Sequence, residues 1–219
     1  MSRVPPILLA SNSPRRKELM GWISLDFSVR AVDIDEMVLP AEDPKEYVAR
    51  LSRSKAEASA KENPWRLILG ADTTVADGNE ILGKPLDRID ARRMLSQLRG
   101  RVHWVHTALT LIDGTNGRRV SELCSTPVEM RDYSDAEIET YLDTGDPMDK
   151  AGAYAIQHAG FHPVVNMAGC FASVIGLPLC HLVRGLRKLG YDGLDTVPVT
   201  CQQNLRYDCP VTQQILNGQ

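Results

Sequence analysis

Two long β-type segments, Arg101 to Asp113 and Arg118 to Arg131, are joined only by Gly114-Thr115-Asn116-Gly117. A short glycine-bounded link between β-type runs predicts a hairpin, so the two segments must pair antiparallel. Around this hairpin the chain interleaves short apolar runs with helix starts. Pro6 to Ala10 reads as a buried strand, followed by Ser13 as N-cap and Pro14 at the first helical position. Leu25 to Ala31 alternates like a strand, and Asp43-Pro44-Lys45-Glu46 reads as a capping box opening a helix that carries Val48, Leu51, Lys55 and Ala58. Arg66 to Ala71 is a second apolar strand that the pattern ends at Asp72-Thr73-Thr74, with a turn at Asp77-Gly78-Asn79-Glu80. Asp87 caps a helix to Leu98, Ser134-Asp135-Ala136-Glu137 opens another as a capping box, and Pro178 to Leu189 is a last amphipathic helix. Short strands are expected over Ala153 to Ile156, Pro163 to Met167 and Phe171 to Ile175. Strands alternating with helices, plus one long hairpin, predict an α/β domain with a mixed central β-sheet flanked by helices. Residues 1–195 are assigned to this domain, either undivided or as two lobes around a cleft. Residues 196–219 are polar and glutamine-rich, and are expected to be a C-terminal extension without fixed structure.

Composition excludes several functions. A formal net charge of -3 provides no overall positive field for nonspecific nucleic-acid binding, so any anion site must be local. The apolar run Ile7 to Ala10 is too short for a signal peptide's hydrophobic region, and no other run approaches a membrane span. The cysteines, Cys124, Cys170, Cys180, Cys201 and Cys209, are odd in number and form no CxxC pair, so reduced thiols in a cytoplasmic protein are expected.

Three groups of side chains carry potential chemistry. Ser11-Asn12-Ser13-Pro14-Arg15-Arg16-Lys17 places three cations in a first helical turn, where the helix dipole disfavours them. A bound phosphate would reverse that sign, and unpaired N–H groups at a helix start suit one; surface arginines are the plainer alternative. Glu36 lies in an acidic loop and Asp72 at an expected strand end, the edge where ligands bind in open α/β sheets. Near phosphates such carboxylates call for a hard divalent cation, although Asp72 is equally suited to capping a turn. Lys55, Lys84 and Lys150 matter only if they converge in space. His103 and His106 fall on opposite faces of a strand, and His158 and His162 are separated by Gly160, so no histidine metal pair is expected. There is no GxxxxGK[ST], GxGxxG or GxSxG motif.

Seven segments in order resemble the Maf family of nucleoside triphosphate pyrophosphatases. They are Ser11-Asn12-Ser13-Pro14-Arg15-Arg16, Asp35-Glu36, Ser54-Lys55-Ala56, Gly70-Ala71-Asp72-Thr73, Leu82-Gly83-Lys84-Pro85, Lys150 to Gln157, and Gly176-Leu177-Pro178-Leu179. The resemblance implies the fold of the inosine triphosphate pyrophosphatases and hydrolysis between the α and β phosphates. It implies that Ser11, Ser13, Arg15, Arg16, Lys55 and Lys84 hold the triphosphate, with Lys150 also on the substrate. Glu36 and Asp72 would bind a divalent cation, Mg²⁺ or Mn²⁺, and Asp72 would accept the proton of the attacking water. Arg15, Thr73 and Gln157 resemble the markers of the branch acting on dTTP and UTP; the 7-methyl-GTP branch differs at all three. A homodimer also fits the resemblance. A nucleotide-binding regulator of cell division with little turnover is the alternative from another class. The segment around Gly169-Cys170-Phe171-Ala172 and the tail after Gly190 depart from the family pattern.

Overall fold

The computed structural model describes residues 4–218; Met1 to Arg3 of the N-terminal stretch and Gln219 of the extension lie outside them. The chain runs β1 (Ile7–Leu9), α1 (Pro14–Gly21), β2 (Phe27–Val29), α2 (Pro44–Glu62), β3 (Leu67–Asp77), β4 (Glu80–Leu82), α3 (Arg88–Leu98), β5 (Val102–Asp113) and β6 (Arg119–Met130). It continues through α4 (Asp135–Asp143), β7 (Val164–Met167), α5 (Phe171–Ile175), α6 (Leu179–Lys188), α7 (Val197–Leu205) and α8 (Thr212–Leu216). One sheet has the order β2-β1-β3-β5-β6-β7, with β4 added to the far end of β3. Strand β1 is parallel to β2 and β3, and every other pairing is antiparallel, so the sheet is mixed as predicted. The hairpin forms its middle, with β5 and β6 in register from Val102↔Glu129 to Ile112↔Arg119.

Alternation along β3 and β5 sorts residues onto two faces. Leu67, Leu69, Ala71, Leu109 and Leu111 pack with Leu19 and Met20 of α1 and with Leu179, Leu182 and Leu186 of α6. Further along, Val75 and Val105 pack with Leu95 and Leu98 of α3 and Ile138 and Tyr141 of α4. The opposite face carries α2, where Ala56 meets Leu8, Ile68 and Ile112. Ser52 on this helix hydrogen-bonds the Thr110 hydroxyl at 3.1 Å.

Local signals set the helix starts. The Ser13 hydroxyl accepts from Arg16 N at the start of α1, and Ser134 and Glu137 form both bonds of a capping box. Asp43 caps α2 by accepting from Lys45 N, without the return bond from Glu46 that the sequence suggested.

Four expectations need correction. Strand β3 does not end at Asp72 but continues to Asp77, because β5 pairs with it throughout, from Leu67↔Asp113 to Ala76↔Trp104. Asp72 is therefore mid-strand and caps no turn. The strand expected over Ala153 to Ile156 is not formed: Ala151–Ala153 is a short 3₁₀ turn with left-handed backbone at Gly152 and Ala153, and Tyr154 to Ile156 join no strand. Phe171–Ile175 is helical, since a short apolar run can bury itself as helix or strand.

The C-terminal extension is also ordered, as α7 and α8, with Val197, Pro198, Cys201, Thr212 and Ile215 buried. Arg184 of α6 joins it to the sheet, donating to Ile215 O at 2.9 Å while also pairing with the buried Glu122 of β6. Lys188 is the second partner of Glu122, at 2.8 Å. Burial pushes the Glu122 carboxyl up, but hydrogen bonds from Arg184 and Lys188 outweigh it and hold it below the ordinary 4.5. A depressed carboxyl contributes stability that is present above its unfolded value and lost as pH falls through the folded one. Glu122→Gln should therefore cost about 3 kcal/mol at pH 7, as breaking a buried ion pair does. In urea titrations the gap should close as the pH falls below 4.5; a gap independent of pH would exclude the ion pair as its source.

Candidate active site

The short β1 creates the site. It pairs with β3 only as far as Leu9↔Leu69, while β4 pairs with β3 only from Val75. Residues 70–74 of β3 thus have β5 on one edge and neither strand on the other, which leaves a notch in the sheet. A cleft of about 1160 Å³ opens there. Because the strand alternates, Asp72 projects toward the α2 side and Thr73 toward the α1 side of this single opening.

On the α2 side, the Lys55 ammonium stands between two carboxylates, 2.6 Å from Asp72 Oδ1 and 2.7 Å from Glu36 Oε1. Asp72 and Lys55 are largely buried, whereas Glu36 comes from an exposed loop. That loop is tied to α2 at Glu36 and just after it. Tyr47 donates its hydroxyl to Glu36 O at 3.0 Å, and Arg50 donates to Met37 O at 2.8 Å while chelating Glu42. Burial, and then the nearby Asp72 and Glu36 charges, push the Tyr47 hydroxyl up to about 12, so it stays protonated as that donor. Tyr47, Leu51 and Lys55 recur every four residues along one helix face, a signal visible in the sequence.

On the α1 side, Arg16 is buried and runs back beneath the helix start. Its guanidinium donates to Gly176 O at 2.8 Å, Ser11 Oγ at 3.2 Å and Thr73 Oγ1 at 3.1 Å. Thr73 is held in turn by Thr107, whose hydroxyl also donates to Ser173 O at 2.8 Å. Burial pulls the Arg16 guanidinium below its ordinary range, and the Asp72 and Glu36 charges oppose that shift. Ser11 Oγ accepts from Ser13 N and Arg16, and Ser13 Oγ accepts from Arg16 N. Each hydroxyl keeps its own hydrogen to donate, and beside them lies the open end of α1. Arg15 projects into the cleft on the same turn.

The far wall holds Lys84, Lys150 and Gln157. Gly152 N donates to Gly83 O, coupling the Lys84 and Lys150 loops. A Cβ at Gly152 would lie 2.9 Å from Val75 Cγ1, and its φ of +68° favours glycine, so the loop can sit directly on β3. Lys150 spends its three donors on Asp146 O, Asp146 Oδ1 and Asp149 Oδ1. Lys84 is exposed and has no ion-pair partner among the described residues. Tyr154 is held in the wall by His103 Nε2, 2.8 Å from its hydroxyl. Burial lowers His103 to about 4, so it stays neutral at pH 7.

The structure thus brings Ser11, Ser13, Arg15, Arg16, Glu36, Lys55, Asp72, Thr73, Lys84, Lys150 and Gln157 to the lining of one cleft. Tyr47, Asp146 and Asp149 join them without having been anticipated. Five cationic side chains face four carboxylates, too close to balance to neutralise a polyphosphate. Among the described residues the second oxygens of Glu36 and Asp72 have no hydrogen-bond partner, and two hard carboxylate donors suit Mg²⁺ or Mn²⁺ completed by water and phosphate. No group of three or more His, Cys, Asp or Glu side chains is arranged to hold a metal ion among the described residues.

A mixed sheet notched at its edge, with an acid pair on one face and a cation-rich helix start on the other, defines an α/β protein built to hold an anion. The family model described as Maf-like protein matches residues 6–189. The chain belongs to the Maf family. A protein of Geotalea uraniireducens named dTTP/UTP pyrophosphatase is 44% identical over 184 residues, 84% of this chain and 95% of its own. Proteins of the same name from Anaeromyxobacter dehalogenans and Desulforamulus reducens are 44% and 42% identical over 189 and 187 residues, each covering 85% of this chain and 95% and 98% of their own. Among solved structures, the Staphylococcus aureus Ham1 protein aligns at a TM-score of 0.43 and 16% identity, over 58% of this chain and 73% of that one.

Proposed function

We propose that this chain is a nucleoside triphosphate pyrophosphatase that hydrolyses dTTP and UTP, and modified pyrimidine nucleotides, to the monophosphate and pyrophosphate, so clearing noncanonical nucleotides. The observation that carries the reading is the convergence of the Asp72–Lys55–Glu36 cluster and the α1 start on one cleft. Ser11, Ser13 and the open N–H groups of α1 donate to phosphate oxygens, and Arg15 and Lys84 offset charge growing on the pyrophosphate. Arg16 uses three of its five N–H donors on the protein, which fixes the guanidinium while leaving donors for the ligand. Asp72 accepts a proton as water attacks the α-phosphorus, and the bond from that phosphorus to the α–β bridging oxygen breaks. Glu36 and Asp72 would hold Mg²⁺ or Mn²⁺, which when bound supplies positive charge to the phosphates. Gln157 is exposed at the cleft mouth with its amide able both to donate and to accept, as a uracil or thymine edge requires. We further propose a cytoplasmic homodimer. Free thiols and the absence of any membrane-spanning helix among the described residues are compatible with the first.

The test is pyrophosphate release from dTTP, UTP and 7-methyl-GTP at equal concentration with Mg²⁺ or Mn²⁺. Faster turnover of the pyrimidine nucleotides is expected. A faster 7-methyl-GTP reaction would overturn the base assignment, and tight nucleotide binding without turnover would favour the regulator.

A further inference from the structure

The five cysteines are far apart in the chain, yet they gather at one end of α5. Cys124 is on β6, Cys170 is the N-cap of α5, Cys180 is on α6, Cys201 on α7, and Cys209 lies between α7 and α8. Cys209 Sγ lies 3.9 Å from Gly169 O, the carbonyl of the residue just before Cys170. Cys170, Cys180, Cys201 and Cys209 line one small cavity.

The surrounding bonds hold the Cys209 segment beside Gly169, the residue before Cys170. Tyr207 places its hydroxyl 2.8 Å from Met167 O and 3.0 Å from Gly169 O, and Gln202 Oε1 accepts from Cys209 N at 2.9 Å. Exposure then distinguishes the members. Cys124, Cys170, Cys180 and Cys201 are buried, and Cys209 alone is half-buried. Hydrogen bonding by Cys170 pulls both Cys124 and Cys209 down, but its single S–H serves one thiolate at a time. Cys124 is drawn lower still, to about 4, with His181 assisting, but it is buried, whereas Cys209, drawn down to about 6, is the thiol that solvent and a dissolved oxidant reach. Cys170, the donor, is held up. A solvent-reachable thiolate beside a protonated thiol is the arrangement of a reactive cysteine with a resolving partner.

We infer that Cys209 and Cys170 form a peroxide-sensitive pair that closes to a disulfide and fastens the C-terminal helices to α5. The Cys209 thiolate attacks one oxygen of a hydroperoxide, the O–O bond breaks, and hydroxide or alkoxide leaves and is protonated, giving the sulfenic acid. The Cys170 sulfur then attacks the Cys209 sulfur, the S–O bond breaks, and water leaves with the thiol proton. Two thiols are oxidised by two electrons, and hydrogen peroxide is reduced to two waters. The bond reaches the active site by a short path. Cys170 caps the five-residue helix α5, Ser173 O within it accepts from Thr107, and Gly176 O at its far end accepts from Arg16. Cys209 lies beyond residues 6–189, the part of the chain that matches the family model, so the pair joins an added segment to the shared domain.

The test uses the full chain, reduced, freed of reductant and treated with a small molar excess of hydrogen peroxide. Titratable thiols should fall from five to three, and a nonreducing peptide map should recover the Cys170 and Cys209 peptides joined. Cys201→Ser should form the same link, whereas Cys209→Ser should form none and keep its remaining thiols. Retention of all five thiols in the wild-type chain, a Cys124–Cys170 link, or over-oxidised Cys209 beside a free Cys170 would each overturn the pair.

Discussion

Asp72→Asn is expected to lower kcat for pyrophosphate release from dTTP by about 10²–10⁴-fold, the usual contribution of a positioned proton acceptor. Asparagine keeps the shape and an oxygen that can still accept from Lys55, 2.6 Å away in the wild-type chain. What disappears is the charge, and with it the capacity to take a proton from water. The substitution is close to isosteric at a position that is buried mid-strand and paired with β5 through Asp72↔Ala108, so the folded chain remains available for assay. Thermal midpoint and kcat are measured on the same preparation, separating lost chemistry from lost fold. Unchanged kcat would remove Asp72 from the reaction. Full recovery of the variant by raised Mn²⁺ would make the carboxylate a metal ligand alone and assign the proton elsewhere.

Features that rest on one local segment could be read from the sequence, and features requiring two distant segments could not. Ser13 and Pro14 set the start of α1 because a cap is decided within four residues. The β5–β6 hairpin likewise needs only its own turn. The sequence puts Asp72 at a strand end because Asp-Thr-Thr breaks an apolar run. Its actual setting depends on β1 stopping at Leu9 and on β5 continuing past it, neither of which residues near Asp72 record. Lys150 was legible as a cation, but its donors are spent on Asp146 and Asp149 only because a 3₁₀ turn over Asp146–Asp149 folds those groups back onto it. The extension reads as polar, yet Val197, Cys201 and Ile215 find cover against the domain. Tyr47 is hidden for a different reason: its spacing from Lys55 is visible, but its acceptor is a backbone carbonyl.

Gly70→Ala should carry the largest structural effect. A Cβ at this position would lie 2.3 Å from Ser52 O and 2.6 Å from Ala56 N. Both are backbone atoms of α2, so no rotamer change relieves the clash and the helix itself must retreat from β3. Overpacking of this kind costs about 3 kcal/mol or more, and in a domain of this size that lowers the thermal midpoint by roughly 6–12 °C. The same retreat strikes the site. Lys55 is carried by α2 one residue before Ala56, and Asp72 by β3 two residues after Gly70, so their 2.6 Å contact depends on the helix lying this close. A displacement of about 1 Å is enough to cost on the order of 10²-fold in rate, and kcat should fall well below the transition temperature. Gly21→Ala is the control, since a Cβ there meets nothing within 4 Å at the end of α1. Calorimetry that gives both variants the same midpoint would show that the α2–β3 contact is not what sets the stability. A destabilised Gly70→Ala with wild-type kcat would show instead that Lys55 and Asp72 tolerate separation.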